Sequence, residues 1–347
     1  MIIETRSELE AGTALGSKLK YIGARAIRTE LKGKKLHKTP SRATIERVVK
    51  EAEMTRSKEP VIKISYPHLK ANQPYQLVQV DIVPHYLKGG TRAACFNAID
   101  VFSKYPTGKA YPQRRSVDAC EFLILVWQEI GVPHYTQVDN EGCFSGGTTH
   151  QRVLGKVVRL ALSVKTQLLF SPVYHPKSNA QVERFHQDYN LHVWQDTYLS
   201  DFKQINRQAK IFFANYRHST HHSALKGQTP DQVHSLDPGH KLKSTFSLPT
   251  TKQPLYAGRI HFLRKVDPDR QVSVLNVLWA VPSAVPNQGV WVTIDFKPTK
   301  TTLSIYDQAP GSAHRHCLKT HPFPLSEPVL PIPDQRLNQI YVNHNPT

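Results

Sequence analysis

The chain has 347 residues, too many for one small core, and its 39% hydrophobic content excludes wholesale disorder. Lys plus Arg is 45 against 27 Asp plus Glu, a formal charge of +18 that points to a polyanionic partner, most simply nucleic acid. An anionic membrane surface would need a basic amphipathic helix or a lipidation signal; the sequence carries neither, so no membrane partner is expected.

Residues 1–58 read as helical and basic, with a net charge of +7. Ile22, Ala26, Ile27 and Leu31 form an apolar stripe at helical spacing, Gly33 and Pro40 interrupt it, and Ser41 stands where an N-cap belongs before a second helix. In that helix Ile45, Val48 and Val49 face inward while Arg42, Arg47 and Lys50 stay on the polar side. The pair reads as a helix-turn-helix DNA-binding domain over 1–58, with Arg42 and Arg47 as candidate DNA contacts; the competing reading is a solvated basic hairpin. Residues 59–74, with Pro60, Pro67 and Pro74, read as a linker.

From Tyr75 the period changes to two: Val78, Val80 and Ile82 alternate with Gln79 and Asp81, the signature of a strand with two unlike faces. Two further strands are expected at 92–102 and 109–112, a helix at 117–130 closed by Gly131 and Pro133, and a fourth strand at 135–139. A helix over 149–163, a fifth strand at 164–170, and long helices over 179–198 and 201–216 follow. That order is ribonuclease-H-like, a mixed α/β sheet covered by helices, and sets a catalytic core at 75–237. Residues 238–321 are rich in β-formers, with strands near 258–266, 272–279, 289–296 and 302–306, and predict a small C-terminal β-barrel for DNA binding or assembly. The uncharged run near 271–294 contains Pro282, Pro286, Asn287 and Gly289, which suits two strands around a turn and not a spanning helix. The Pro-rich tail, 322–347, is expected to be extended. Cys95, Cys120, Cys143 and Cys317 have no CxxC spacing, so neither a zinc knuckle nor a disulfide framework is expected, and a reducing cytoplasm is the default.

Three acidic residues stand at informative places. Asp81 lies on the first core strand, Asp139 ends the fourth, and Glu183 lies in the first turns of the helix after Asn179. In a ribonuclease-H-like sheet the first and fourth strands are neighbours, so the two aspartates converge and the helix brings Glu183 across them. Phosphodiester chemistry needs an attacking and a leaving oxygen stabilised together, which two hard cations held by carboxylates accomplish without a protein nucleophile. No Ser/His/Asp, Cys/His or tyrosine-nucleophile pattern competes. Asp100, on the second strand, is expected to pair with Lys104 or Arg114 and not to join the triad. Lys177 and Arg184, beside Glu183, are further candidate DNA contacts, with a solvated helix face as the plainer reading.

Four segments resemble, in order, the motifs of the integrase catalytic core: VQVDIV at 78–83, DVFSKYPTGKAYP at 100–112, QVDNEGCF at 137–144 and PKSNAQVERF at 176–185. The following NYRHSTHHSALKGQTPDQ at 215–232 resembles the end of that core in DDE-type transposases of bacterial insertion sequences. The resemblance implies a retroviral-integrase-like core in which Asp81, Asp139 and Glu183 hold two Mg²⁺ or Mn²⁺ ions. It also implies cleavage at transposon ends, strand transfer into target DNA, double-stranded DNA as partner, a homo-oligomer on DNA, and a cytoplasmic, nucleoid-associated setting. The sequence departs from the pattern in three ways: a long Asp139-to-Glu183 interval of 44 positions, Glu141 where many relatives have Gly, and Ala180 where many have Gly. The alternative function is a catalytically silent, transposase-derived DNA-binding protein; a third is a nuclease of the same fold without strand transfer.

Overall fold

A computed structural model describes residues 1–14, 21–34, 38–54, 64–146, 150–172, 179–195, 197–235 and 241–342. The chain divides into two units, Met1–Lys63 and Ile64–Thr347.

The first unit contains α1 (Ile2–Ala11), α2 (Ala24–Gly33) and α3 (Arg42–Glu51). The apolar stripes of α2 and α3 meet as expected: Ile27, Leu31, Ile45 and Val49 are buried together, joined by Leu9 from α1. Ser41 caps α3, its hydroxyl accepting the Thr44 amide at 3.1 Å, which satisfies one of the helix's free N–H groups. Helix α1 escaped the sequence reading because its apolar signal is nearly reduced to Leu9; buried Thr5 and Arg6 fill the rest of its inner face. Arg6 Nη2 donates to the Met54 carbonyl at 3.2 Å, tying the first helix to the end of the third.

Among the described residues the second unit contains a nine-stranded sheet that runs in the order 317–322, 302–306, 289–296, 258–265, 167–170, 135–138, 77–86, 92–100, 106–111. Its first five strands are β1 (Leu77–Tyr86), β2 (Arg92–Asp100), β3 (Pro106–Tyr111), β4 (Tyr135–Val138) and β5 (Gln167–Phe170). β1 pairs antiparallel with β2 and parallel with β4, and β5 continues parallel to β4. The alternation in β1 sorts the two faces. Val78, Val80 and Ile82 pack into the core beneath α4 (Ser116–Glu129) and α6 (Lys156–Ser163), with Trp127 and Phe122 at its centre. Across the sheet Cys95, Ile99 and Ala110 meet α7 (Ala180–Tyr189) and α8 (Phe202–Ser219) through Val182, Phe185 and Phe213. Of the helix expected over 149–163, Thr149 lies outside the described residues and α6 forms the later part; the short α5 (Gly142–Ser145) precedes it, and the expected long helix after Asn179 passes into a π-helical turn, Asn190–Trp194.

Gly108 makes the α8 face possible. A Cβ there would stand 2.3 Å from Asn97 Oδ1, 2.5 Å from the Phe213 ring and 2.8 Å from the Phe96 carbonyl. Gly108→Ala is therefore expected to destabilise the protein by roughly 1–3 kcal/mol through overpacking, read as a lowered urea midpoint. An unchanged midpoint would mean that α8 lifts freely from β3.

A separate C-terminal barrel is not shown. Strands β7 (Gly258–Lys265), β10 (Gly289–Phe296), β11 (Thr302–Tyr306) and β12 (Cys317–Pro322) extend the core sheet, because β7 adds in parallel to β5 with Leu168 opposite Ile260 and Phe170 opposite Phe262. The uncharged run does turn back on itself, as the hairpin β8 (Gln271–Val274) and β9 (Val277–Ala280) followed by β10. Without β7, β5 would present an unpaired edge, and a sheet edge inside a core needs a partner for its N–H and C=O groups. The tail is not simply extended either. It contains β13 (Val329–Leu330), which pairs with β6 (Leu255–Tyr256), and α9 (Asp334–Ile340), whose Leu337 and Ile340 are buried in the main core. The prolines before it, at 322, 324, 328, 331 and 333, hid that helical spacing. Among the described residues no helix is long and apolar enough to cross a membrane.

Candidate active site

The register of two strands brings the aspartates together. β1 and β4 are parallel neighbours with Gln79 opposite Gln137. Asp81 and Asp139 each lie two residues further on, so they leave adjacent chains on the same face. That face is the one α7 covers. Gln79 Nε2 donates to Gln137 Oε1 at 3.2 Å, and Gln79 Oε1 accepts the Val182 amide at 3.3 Å, so the first turn of α7 is held above the aspartates and places Glu183 beside them.

The polar layer continues sideways. Gln137 Nε2 donates to Ser171 Oγ at 3.0 Å and to Asn179 Oδ1 at 2.8 Å, and Ser171 Oγ donates to Asn179 Oδ1 at 2.8 Å. Asn179, at the start of α7, is thereby tied to the ends of β4 and β5. These glutamines and Ser171 were not singled out in the sequence. The available signal was the period of two that puts Gln79 with Asp81 and Gln137 with Asp139.

Electrostatics mark the same place. Burial, then the charges of Asp139, Glu183 and Glu141, pushes Asp81 up to about 7, against an opposing hydrogen bond from the Ile82 amide. Burial, with the charge of Glu141, raises Asp139 to about 6, although the Glu141 amide donates to Asp139 Oδ1 at 3.0 Å and Arg114 lies near. Burial also raises Glu183. His186 stands by Asp81, its Nδ1 3.7 Å from Asp81 Oδ2, and burial holds it down to about 4, so it is neutral at physiological pH. Glu141 is taken up by Arg114 at 2.6 Å. Around Asp81, the amide of Asn97 and Nε2 of His186 are buried without hydrogen-bond partners among the described residues.

Asp100 does not join this cluster, nor does it pair with Lys104 or Arg114 as expected. It is fully buried, and its carboxylate accepts the amides of Tyr75, Phe102 and Ser103 and the Ser103 hydroxyl, closing the turn after β2. Lys104 Nζ instead donates to the Val101 carbonyl and to Gln181 Oε1. Arg184 is exposed on α7 and donates to Gln187 Oε1. Lys177 lies outside the described residues. Arg42 and Arg47 are exposed on α3, each ion-paired one turn on, with Glu46 at 2.7 Å and Glu51 at 3.8 Å.

A divalent cation fits the donor set. Two half-buried carboxylates and a third above them offer hard oxygens only, and the repulsion they exert on Asp81 is what a cation would relieve. Among the described residues no three His, Cys, Asp or Glu side chains already stand as a closed metal site. Mg²⁺ and Mn²⁺ suit an open arrangement, because they retain water and take further oxygens from a phosphate.

Residues 164–230 match the family model described as integrase core domain, a stretch that includes Glu183, α7 and α8 but neither aspartate. Three solved structures illustrate the similarity to retroviral integrases. The simian T-cell lymphotropic virus intasome in complex with a PP2A regulatory subunit is 14% identical, with 94% of this chain and 99% of that chain covered and a TM-score of 0.44. The HTLV-2 integrase catalytic core domain in complex with magnesium is 14% identical over 48% of this chain and 99% of that one, with a TM-score of 0.39. The catalytic core domain of BIV integrase is 18% identical over 47% of this chain and 95% of that one, with a TM-score of 0.36.

Proposed function

We propose that this protein is a DDE-type transposase or integrase, which cleaves phosphodiester bonds at the ends of a mobile element and joins them to target DNA. The observation that carries the reading is the convergence of Asp81 and Asp139 at the ends of two parallel strands, under the helix turn that bears Glu183. The integrase core domain match over 164–230 supports it from the sequence side. Asp81, Asp139 and Glu183 would hold two Mg²⁺ or Mn²⁺ ions, which when bound supply Lewis-acid stabilisation to the attacking and leaving oxygens. The chain's own part is placement. The Gln79–Gln137 bridge fixes the spacing of the two aspartates, and neutral His186 leaves Asp81 free of a competing cation.

The flanking units complete the proposal. Met1–Lys63 acts as a helix-turn-helix DNA-binding unit, and the strands after residue 257 serve DNA binding and assembly. The protein works on double-stranded DNA as a homo-oligomer, at the nucleoid in the cytoplasm. The test is incubation of the full chain with Mn²⁺ and duplexes taken from the DNA flanking its own reading frame. Nicked 3′ ends and donor–target joined products are expected, and light scattering should show at least two copies on paired ends. Nicking without any joined product would reduce the protein to a nuclease, and neither product would remove the enzymatic reading.

A charge of +18 implies many phosphate contacts. DNA affinity should therefore fall steeply with salt, with a log–log slope of about −0.9 per neutralised phosphate. Arg42→Ala with Arg47→Ala should lower the preference for end sequences over random duplex if α3 enters a groove. Equal weakening on both DNAs, in fluorescence anisotropy, would leave α3 as an electrostatic anchor only.

A further inference from the structure

Arg264 lies far along the chain from the three acids, on β7, yet it reaches the turn that follows Asp139. The strand registers explain how. Val138 on β4 pairs with Phe170 on β5, which pairs with Phe262 on β7; β4 and β5 end there while β7 runs on to Lys265, so Arg264 lies beside the chain just past Asp139. Its guanidinium Nη2 donates to Asn140 Oδ1 at 2.7 Å, and Nη1 donates to the Ser171 carbonyl at 3.1 Å and to the Leu263 carbonyl at 2.9 Å. Nε donates to the Ser273 carbonyl at 3.1 Å. Asn140 Nδ2 in turn donates to the same Ser171 carbonyl.

All these acceptors are neutral, and among the described residues Arg264 has no ion pair. Its side chain is half-buried, and a guanidinium partly withdrawn from water without a carboxylate persists where its fork holds several oxygens at once. Burial lowers it only to about 10, so it remains charged at neutral pH. What it holds is specific: the residue after Asp139, and the backbone of Ser171, whose hydroxyl is bonded to Asn179 at the head of the Glu183 helix.

We propose that Arg264 is a positioning residue of the candidate site, setting the Asp139 turn through Asn140 and so making the C-terminal strand extension part of the catalytic unit. The proposal rests on the metal-dependent reading above. Partners one step removed from a metal site orient its ligands, and losing one typically costs about 10–100-fold in metal affinity.

The experiment uses the full chain without DNA. Mn²⁺ binding is titrated by the electron paramagnetic resonance of the free ion, beside a thermal melt without metal. The proteins are wild type, Asp139→Asn, Arg264→Met, Arg264→Lys, Asn140→Ala and the Arg264→Met/Asn140→Ala double variant. Arg264→Met and Asn140→Ala should each weaken Mn²⁺ binding by about tenfold or more, and the double variant should be no weaker than the worse single one, because both break one link. Arg264→Lys should recover part of the affinity, since an ammonium can reach some of the same oxygens but lacks the planar fork. Wild-type affinity in a folded Arg264→Met protein, or losses that add in the double variant, would overturn the proposal. If Arg264→Met does not fold, Asn140→Ala decides alone, with unchanged Mn²⁺ affinity as the overturning result. Failure of wild type to bind Mn²⁺, or binding unaffected by Asp139→Asn, would instead sink the metal-dependent reading and this inference with it.

Discussion

Replacing any one acid with its amide, Asp81→Asn, Asp139→Asn or Glu183→Gln, is expected to abolish cleavage and joining while leaving DNA affinity nearly unchanged. Each swap keeps shape and removes the charge on which divalent-cation binding depends. The loss should be large because the acids converge on one place: Asp81 is raised partly by the charges of both Asp139 and Glu183, so both stand near it. The phosphate-binding surface is spread over a chain of charge +18, so one altered carboxyl should scarcely touch it. Gel assays of nicked and joined products, beside anisotropy for binding, separate the two effects. Activity within about tenfold of wild type, a barrier change of only ~1.4 kcal/mol, would remove that residue from the site.

The same charges should make the metal-free protein less stable than it could be. Asp81 is raised from 3.8 to about 7 and Asp139 from 3.8 to about 6, so in the folded state both favour the protonated form. A group raised on folding contributes fully below its unfolded value, and that contribution is lost as pH rises through the folded value. Between about pH 4 and pH 7 these two therefore lower stability as pH rises, and for Asp81 alone the cost at neutral pH is on the order of 4 kcal/mol. His186 acts in the opposite sense: held down to about 4, it favours folding of the neutral form, and its contribution is lost as pH falls from 6.5 towards 4. Within the site two carboxyls outweigh one imidazole, so its own contribution without metal declines towards neutral pH. Asp81→Asn should accordingly raise metal-free stability at pH 7.5 by about 1–3 kcal/mol, part of that cost, because the amide still needs hydrogen bonds. Mg²⁺ should raise the melting temperature of wild type and leave Asp81→Asn nearly unmoved. Equal melting temperatures for the two metal-free proteins at pH 7.5 would show that the Asp81 charge is solvated or paired.

What the sequence determined by itself was local and periodic. The alternation around Asp81 placed Val78, Val80 and Ile82 in one core and Gln79 and Asp81 on the opposite face, since side chains of a strand alternate without regard to what the strand pairs with. Ser41 as a cap, the helices near 117–130 and 201–216, and the strand spacings after residue 257 followed from equally local rules. Tertiary structure decided everything that depends on which strand lies beside which. Nothing in the periodicity of 258–265 says that it pairs with 167–170 and so prolongs the core sheet, because a buried strand reads alike in a barrel or a sheet. Asp100 was misplaced for the same reason: a nearby Lys suggests an ion pair, but only the fold shows three amides and a hydroxyl already closing on that carboxylate. Arg264 is the clearest case. It stands 125 positions after Asp139 and in no motif, and it reaches the Asp139 turn only because β7 runs on past the ends of the parallel strands β4 and β5, a relation fixed by backbone hydrogen bonds between segments distant in the chain.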